Sequence, residues 1–87
     1  MDEQKKDYTQ IMLKCADIAK SRQAEYGEAT QSINDGVKMC KDMFGLELSP
    51  KAFCQVMIAG KFARDKQMGK EDNMLDAINY IAIMLSL

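Results

Sequence analysis

Apolar residues recur every third or fourth position through almost the whole chain. The recurrence breaks only at Gly27, at the stretch Gly45–Pro50 and at Gly69. That spacing is the period of an α-helix, where side chains three and four apart share a face. Tyr8, Ile11, Met12, Cys15, Ile18 and Ala19 mark one stripe, on a helix expected from about Lys5 to Gln23. Ile33, Val37, Cys40 and Phe44 mark a second, from roughly Ala29 to Phe44. A third helix is expected from Pro50 to about Met68: Ser49 offers an N-cap, and Pro50, the only proline, suits a first helical position that needs no N–H. The fourth starts near Glu71 or Asp72, whose carboxylates suit the positive end of a helix dipole, and continues to about Ser86. Gly27 is expected to close the first helix in the left-handed conformation, and Gly45 and Gly69 to end the second and third. Gly36 lies inside a helix at a cost of about 1 kcal/mol relative to alanine, so it marks close helix packing, a ligand approach or a kink. No β-hairpin signal, internal repeat or low-complexity tract interrupts this pattern. Short connections favour antiparallel neighbours. The expected fold is all-α, a four-helix antiparallel bundle forming one domain over residues 1–87.

At 87 residues such a domain buries only about 60–65% of its unfolded surface, so its core is thin. Yet 47% of the residues are hydrophobic, and the fourth helix is apolar on nearly all sides, interrupted only by Asp72, Asn73, Asp76 and Asn79. A helix apolar all round is buried centrally or in a subunit interface. A homo-oligomer built through the C-terminal helix is therefore expected. Formal net charge is −1, from 12 basic and 13 acidic residues. This gives no global attraction to duplex nucleic acid, whose binding rests on phosphate neutralisation, while leaving room for a local basic pocket. Histidine is absent, which removes the commonest general base and metal ligand. Cys15, Cys40 and Cys54 are odd in number, lack a C-x-x-C pairing and fall at apolar helical positions. They read as buried small hydrophobes in a reducing cytosol. The N-terminal "MDEQKKDYTQ" has no apolar core for a signal peptide, and the longest apolar run is too short to span a bilayer. A cytoplasmic protein without a membrane partner is expected.

The stretch "KFARDKQMGKEDNMLDAINY" carries the chemistry. Lys61 and Arg64 share a face of the third helix, and together can hold a phosphate, Arg by a bidentate fork and Lys as a point charge. Across the Gly69 turn, Asp72 and Asp76 lie four apart, on the side of Asn79 and next to Tyr80. The hairpin brings them level with the two cations, so Arg64–Asp72, Arg64–Asp76 and Lys61–Asp76 pairs could simply brace it. Buried pairs of that kind add little net stability, which makes a site the better account of two aspartates on an apolar helix. "RQAEYGEA" adds Arg22, Tyr26 and Gly27 at a helix-to-helix turn, a cation beside an aromatic ring, as a nucleobase with its phosphate would want. The bland alternative there is a helix cap with Tyr26 packed over the turn. Glu25, Glu28, Asp72 and Asp76 are carboxylates enough in number for a divalent metal, but Gly27 interrupts the helix that would align the two glutamates. The eight methionines read as core filling.

In this order, "RQAEYG", "KFAR" and "DNMLDAINY" resemble small all-helical domains encoded mainly by phages, closest in pattern to the nucleotide-modification-associated helical family. More distantly the chain is similar to the MazG-type all-α nucleotide pyrophosphohydrolases. The resemblance covers roughly Lys20 to Leu85. It implies ligand contacts at Arg22, Tyr26, Gly27, Lys61, Arg64, Asp72, Asn73, Asp76 and Tyr80. The pyrophosphohydrolases carry E-x-x-E on one helix and E-x-x-D on another. This chain has Glu25-x-x-Glu28 across a glycine and Asp72-x-x-x-Asp76 instead, a departure that counts against catalysis and leaves nucleotide contact untouched.

The expected function is non-enzymatic binding of a phosphate-bearing nucleotide, with no metal or cofactor. In a phage this would sequester a host defence signal such as a cyclic oligonucleotide or an ADP-ribose derivative. The alternatives are a Mg²⁺-dependent nucleoside triphosphate pyrophosphatase using Glu25, Glu28, Asp72 and Asp76, and a helical module whose apolar last helix docks on a host protein.

Overall fold

The computed structural model describes residues 7–87, and among them finds four helices and no strand. Helix α1 spans Tyr8–Tyr26, α2 Ala29–Phe44, α3 Pro50–Met68 and α4 Glu71–Ser86. The expected start of α1 at Lys5 lies outside the described residues. Its end falls three residues beyond Gln23, because nothing between Ala24 and Tyr26 opposes helix until the Gly27 N–H bonds the Gln23 carbonyl at 2.9 Å. Asp7 caps the start, its carboxylate accepting from the Thr9 N–H at 2.9 Å, and Ser49 Oγ accepts from the Ala52 N–H at 3.0 Å ahead of Pro50. These caps satisfy amides that the helix itself leaves unpaired.

Gly45 and Gly69 close α2 and α3 in the left-handed region, at φ +65° and +60°. Gly27 does not adopt that conformation. Its φ of +85° comes with ψ −167°, a region essentially restricted to glycine, and with Glu28 it makes the two-residue turn into α2.

The closest packing is between α3 and α4, an antiparallel hairpin about Gly69 and Lys70; α1 lies on α4, α2 lies on α3, and α1 meets α2 only sparsely. Where α2 crosses α3, the Phe53 ring occupies the space a Cβ on Gly36 would need. Of the three readings of Gly36, close helix packing is the one observed. Among the described residues the buried core is small: Cys15, Ile33, Cys54, Leu75 and Ala77. Cys40 is half-buried, and all three cysteines are free thiols. In α4 only Leu75 and Ala77 are buried, while Ile81 and Leu85 stand in the open, so α3 and α1 together leave part of this apolar helix uncovered. Among the described residues no helix is long and apolar enough to cross a membrane.

Candidate functional site

Because α1 and α2 touch little beyond their turn, a cleft of about 580 Å³ opens between the C-terminal half of α1, the start of α2 and the outer half of α4. Small-molecule sites fall in this size range. Arg22, Gln23, Tyr26 and Gly27 line it from α1 and its turn, Ala29, Ser32 and Ile33 from α2, and Asp76, Asn79, Tyr80 and Ile83 from α4. Helical spacing explains the α4 wall, since positions 76, 79, 80, 83 and 86 follow one face.

Asp76 organises the charge. Lys61 of α3 donates to one carboxylate oxygen at 3.0 Å, and Arg22 of α1 donates to the other at 3.2 Å. The Asp76 and Lys61 side chains are only 12% and 17% exposed, whereas the Arg22 side chain is 56% exposed. Lys61 and Asp76 thus form a nearly dry pair behind the wall, and Arg22 adds a positive charge at the cleft's edge on a side chain that is more than half exposed. Tyr26 stands beside it with its ring largely open.

Five of the nine residues singled out in the sequence line this cleft: Arg22, Tyr26, Gly27, Asp76 and Tyr80. Lys61 reaches it only through Asp76. Arg64 makes no ion pair among the described residues, so the expected Arg64 braces do not form. Three positions along α3 from Lys61, Arg64 is turned aside by about 60°, and Asp76 is filled by Lys61 and Arg22. Asp72 faces α1, where Lys14 bonds Glu71 at 2.7 Å. The Lys14 ammonium is held above its ordinary range by that Glu71 bond first, and by the Asp72 charge to a lesser degree. Asn73 is half-buried and uses its N–H in the turn, donating to the Lys70 carbonyl at 3.1 Å. The sequence pattern missed Ser32 and Ile33, which no spacing along α2 ties to Asp76. Among the described residues no three acidic or cysteine side chains gather where they could share a metal ion, so Glu25, Glu28, Asp72 and Asp76 do not form one donor set.

A family model described as "Domain of unknown function (DUF6378)" matches residues 10–87. The chain belongs to this family. The DUF6378 match takes in all of α2, α3 and α4 and nearly all of α1, so every wall of the cleft lies inside the family's domain. No curated protein and no solved structure matches the chain.

Titration of the interior sets an alkaline limit on stability. Burial pushes the Cys54 and Cys15 thiols above their ordinary 9.0, with Lys14 opposing slightly at Cys15. The Tyr80 phenol is raised above 10.0, by burial first and then by Asp76 and Cys54, with Arg22 pulling the other way. Each folded group keeps its proton at a pH where the unfolded chain has begun to lose it. The resulting stabilisation is complete below the ordinary value and is lost as pH rises through the raised one. Denaturant titrations are therefore expected to give constant stability near neutrality and a decline setting in at about pH 9. A decline already established at neutral pH would contradict this assignment.

Proposed function

We propose that this DUF6378 domain binds a phosphate-bearing nucleotide in the α1–α2–α4 cleft and leaves it chemically intact. The observation that carries the reading is the pairing of the exposed Arg22 side chain with the open Tyr26 ring at the edge of a cleft of about 580 Å³. Arg22 meets phosphate oxygens through a charge-assisted fork, and Tyr26 or Tyr80 stacks on the base. Asn79, Ser32 and Gln23 offer donors and acceptors for the base edge or the sugar hydroxyls. Asp76, itself held by Lys61, accepts from Arg22 at 3.2 Å and keeps the guanidinium at the cleft's edge.

Binding without chemistry fits the residues better than pyrophosphate hydrolysis. The chain has no histidine, Asp76 is spent on two cations, and the four candidate carboxylates do not converge on one point. A protein that holds a nucleotide intact acts by withholding it. The resemblance to phage-encoded domains directs that role at a host defence signal.

Calorimetric titration with a panel of nucleotides tests the reading. Wild type is expected to saturate with at least one of them, Arg22→Ala to bind it about 10- to 100-fold more weakly, and Tyr26→Ala about 5-fold or more. Both side chains are exposed, so both variants are expected to melt near the wild-type temperature. Equal binding by wild type and Arg22→Ala would remove Arg22 from the site and the reading with it.

A further inference from the structure

The face of the α3–α4 hairpin turned away from the cleft is apolar and uncovered. On α4, Met74, Ile78, Ile81 and Leu85 recur at spacings of four, three and four. That is the seam of a helix that pairs with another helix. Leu85 follows Asp76 by nine residues, two and a half turns, so it points opposite the cleft wall. On α3, Phe62 follows Phe53 by the same interval. Since Phe53 packs on Gly36 of α2, Phe62 lies on the side turned from α2. Phe62, Ile81 and Leu85 are 51%, 48% and 85% exposed, and Ile58, Met74 and Ile78 are partly open between them. No charged side chain belongs to the seam.

We infer that this face pairs with the same face of a second copy of the chain, the two α4 helices running antiparallel about a two-fold axis. Area is compatible with a second copy, the apolar centre supplying somewhat more than half of what each partner buries and the rim the rest. At roughly 200 Å² for a large side chain's full accessible surface, the six residues offer on the order of 500 Å² per copy before any rim is counted, and a stable interface takes about 800 Å² from each partner. A core of five buried side chains among the described residues leaves the monomer short of apolar burial, and a copy of itself is the partner always present as the chain folds. Closed two-fold pairing is also the commonest way for one surface to cover itself. Charge selects the direction. A parallel pair would bring the two positive helix ends together. An antiparallel pair sets each helix dipole against the opposite end of its partner. The cleft lies on the other side of α4, so each remains within one chain. The inference is independent of what the cleft binds.

Light scattering of the full chain across a concentration series, with circular dichroism, tests it. Wild type is expected at twice the chain mass, and Ile81→Glu and Phe62→Lys at one chain mass or unfolded. Either outcome for the variants supports the pairing, and an Arg22→Ala control on the opposite side stays at two. A wild type that remains a monomer throughout, or variants that both keep the double mass, would overturn it. Direction is read from disulfides on a non-reducing gel. Residues 74 and 85 lie about 16 Å apart along one helix, too far for a bond within the chain. Met74→Cys with Leu85→Cys is expected to give a covalent dimer, and Leu85→Cys alone is not. Linkage by the single variant to the same extent would make the pair parallel and refute the antiparallel form.

Discussion

Gly36→Val is expected to lower stability by about 2–3 kcal/mol, the upper range for forcing extra carbons into a packed site. A Cβ at this position would lie 2.5 Å from Phe53 Cζ and 3.0 Å from the two Cε atoms, so the ring is aimed edge-on at the bare α2 backbone. Two effects compete at Gly36→Ala. Alanine gains about 1 kcal/mol of helix propensity over glycine, and the far end of a phenyl ring can tilt to admit one methyl group. That variant should sit near neutrality. Valine adds two more carbons at a crossing that cannot open without parting α2 from α3, and it brings the stiffness of a β-branched side chain. For a domain this size each kcal/mol moves the melting temperature by about 4–8 °C, so a fall of about 10 °C or more is predicted. Phe53→Leu in the Gly36→Val background should recover part of it, giving the coupling expected of residues in contact. A Gly36→Val protein melting with wild type would show that α2 does not cross α3 here.

Asp76→Ala carries the second large expected effect, a loss of about 2–3 kcal/mol. Lys61 is little exposed and Asp76 is its partner at 3.0 Å. Removing the carboxylate strands an ammonium in a nearly dry place. Breaking a fully buried pair costs about 3–5 kcal/mol, and the residual exposure of Lys61 brings the estimate below that. Arg22 adds little, because an exposed ion pair is worth about 0–1 kcal/mol. The comparison with Lys61→Met decides the mechanism. Asp76→Ala combined with Lys61→Met should be more stable than Asp76→Ala alone, since the pair itself contributes little once both charges are gone. A double variant less stable than the single would mean that Asp76 stabilises by packing instead of by charge.

Local signals were legible in the sequence. Ser49, Pro50, Gly45 and Gly69 act within a turn of where they stand, and they placed α2, α3 and α4 at the bounds observed. Gly36 was marked by its cost, and Phe53 supplied the reason. The partner of Asp76 was only half legible. Hairpin symmetry about Gly69 pointed to Lys61, which is there, and to Arg64, which is not. Arg22 reaches Asp76 because α1 lies on α4, a contact 54 residues away in the chain that no periodicity encodes. The centre of the candidate site moved for the same cause, from the α3–α4 turn to the cleft lined by α1, α2 and α4. Asp72 and Asn73 stayed behind at the turn. The exposure of Ile81 and Leu85 was likewise open on sequence grounds, since a helix apolar on every side does not say which side its own chain will cover.

The most direct measurement of the central claim is the mass of whatever the folded protein retains. The protein is incubated with a nucleotide panel and Mg²⁺, separated from free ligand and denatured, and the released compounds are weighed by mass spectrometry. The account predicts one intact nucleotide in near-stoichiometric amount from wild type, and far less from Arg22→Ala. Release of cleaved products, or of no nucleotide at all from wild type, would contradict it.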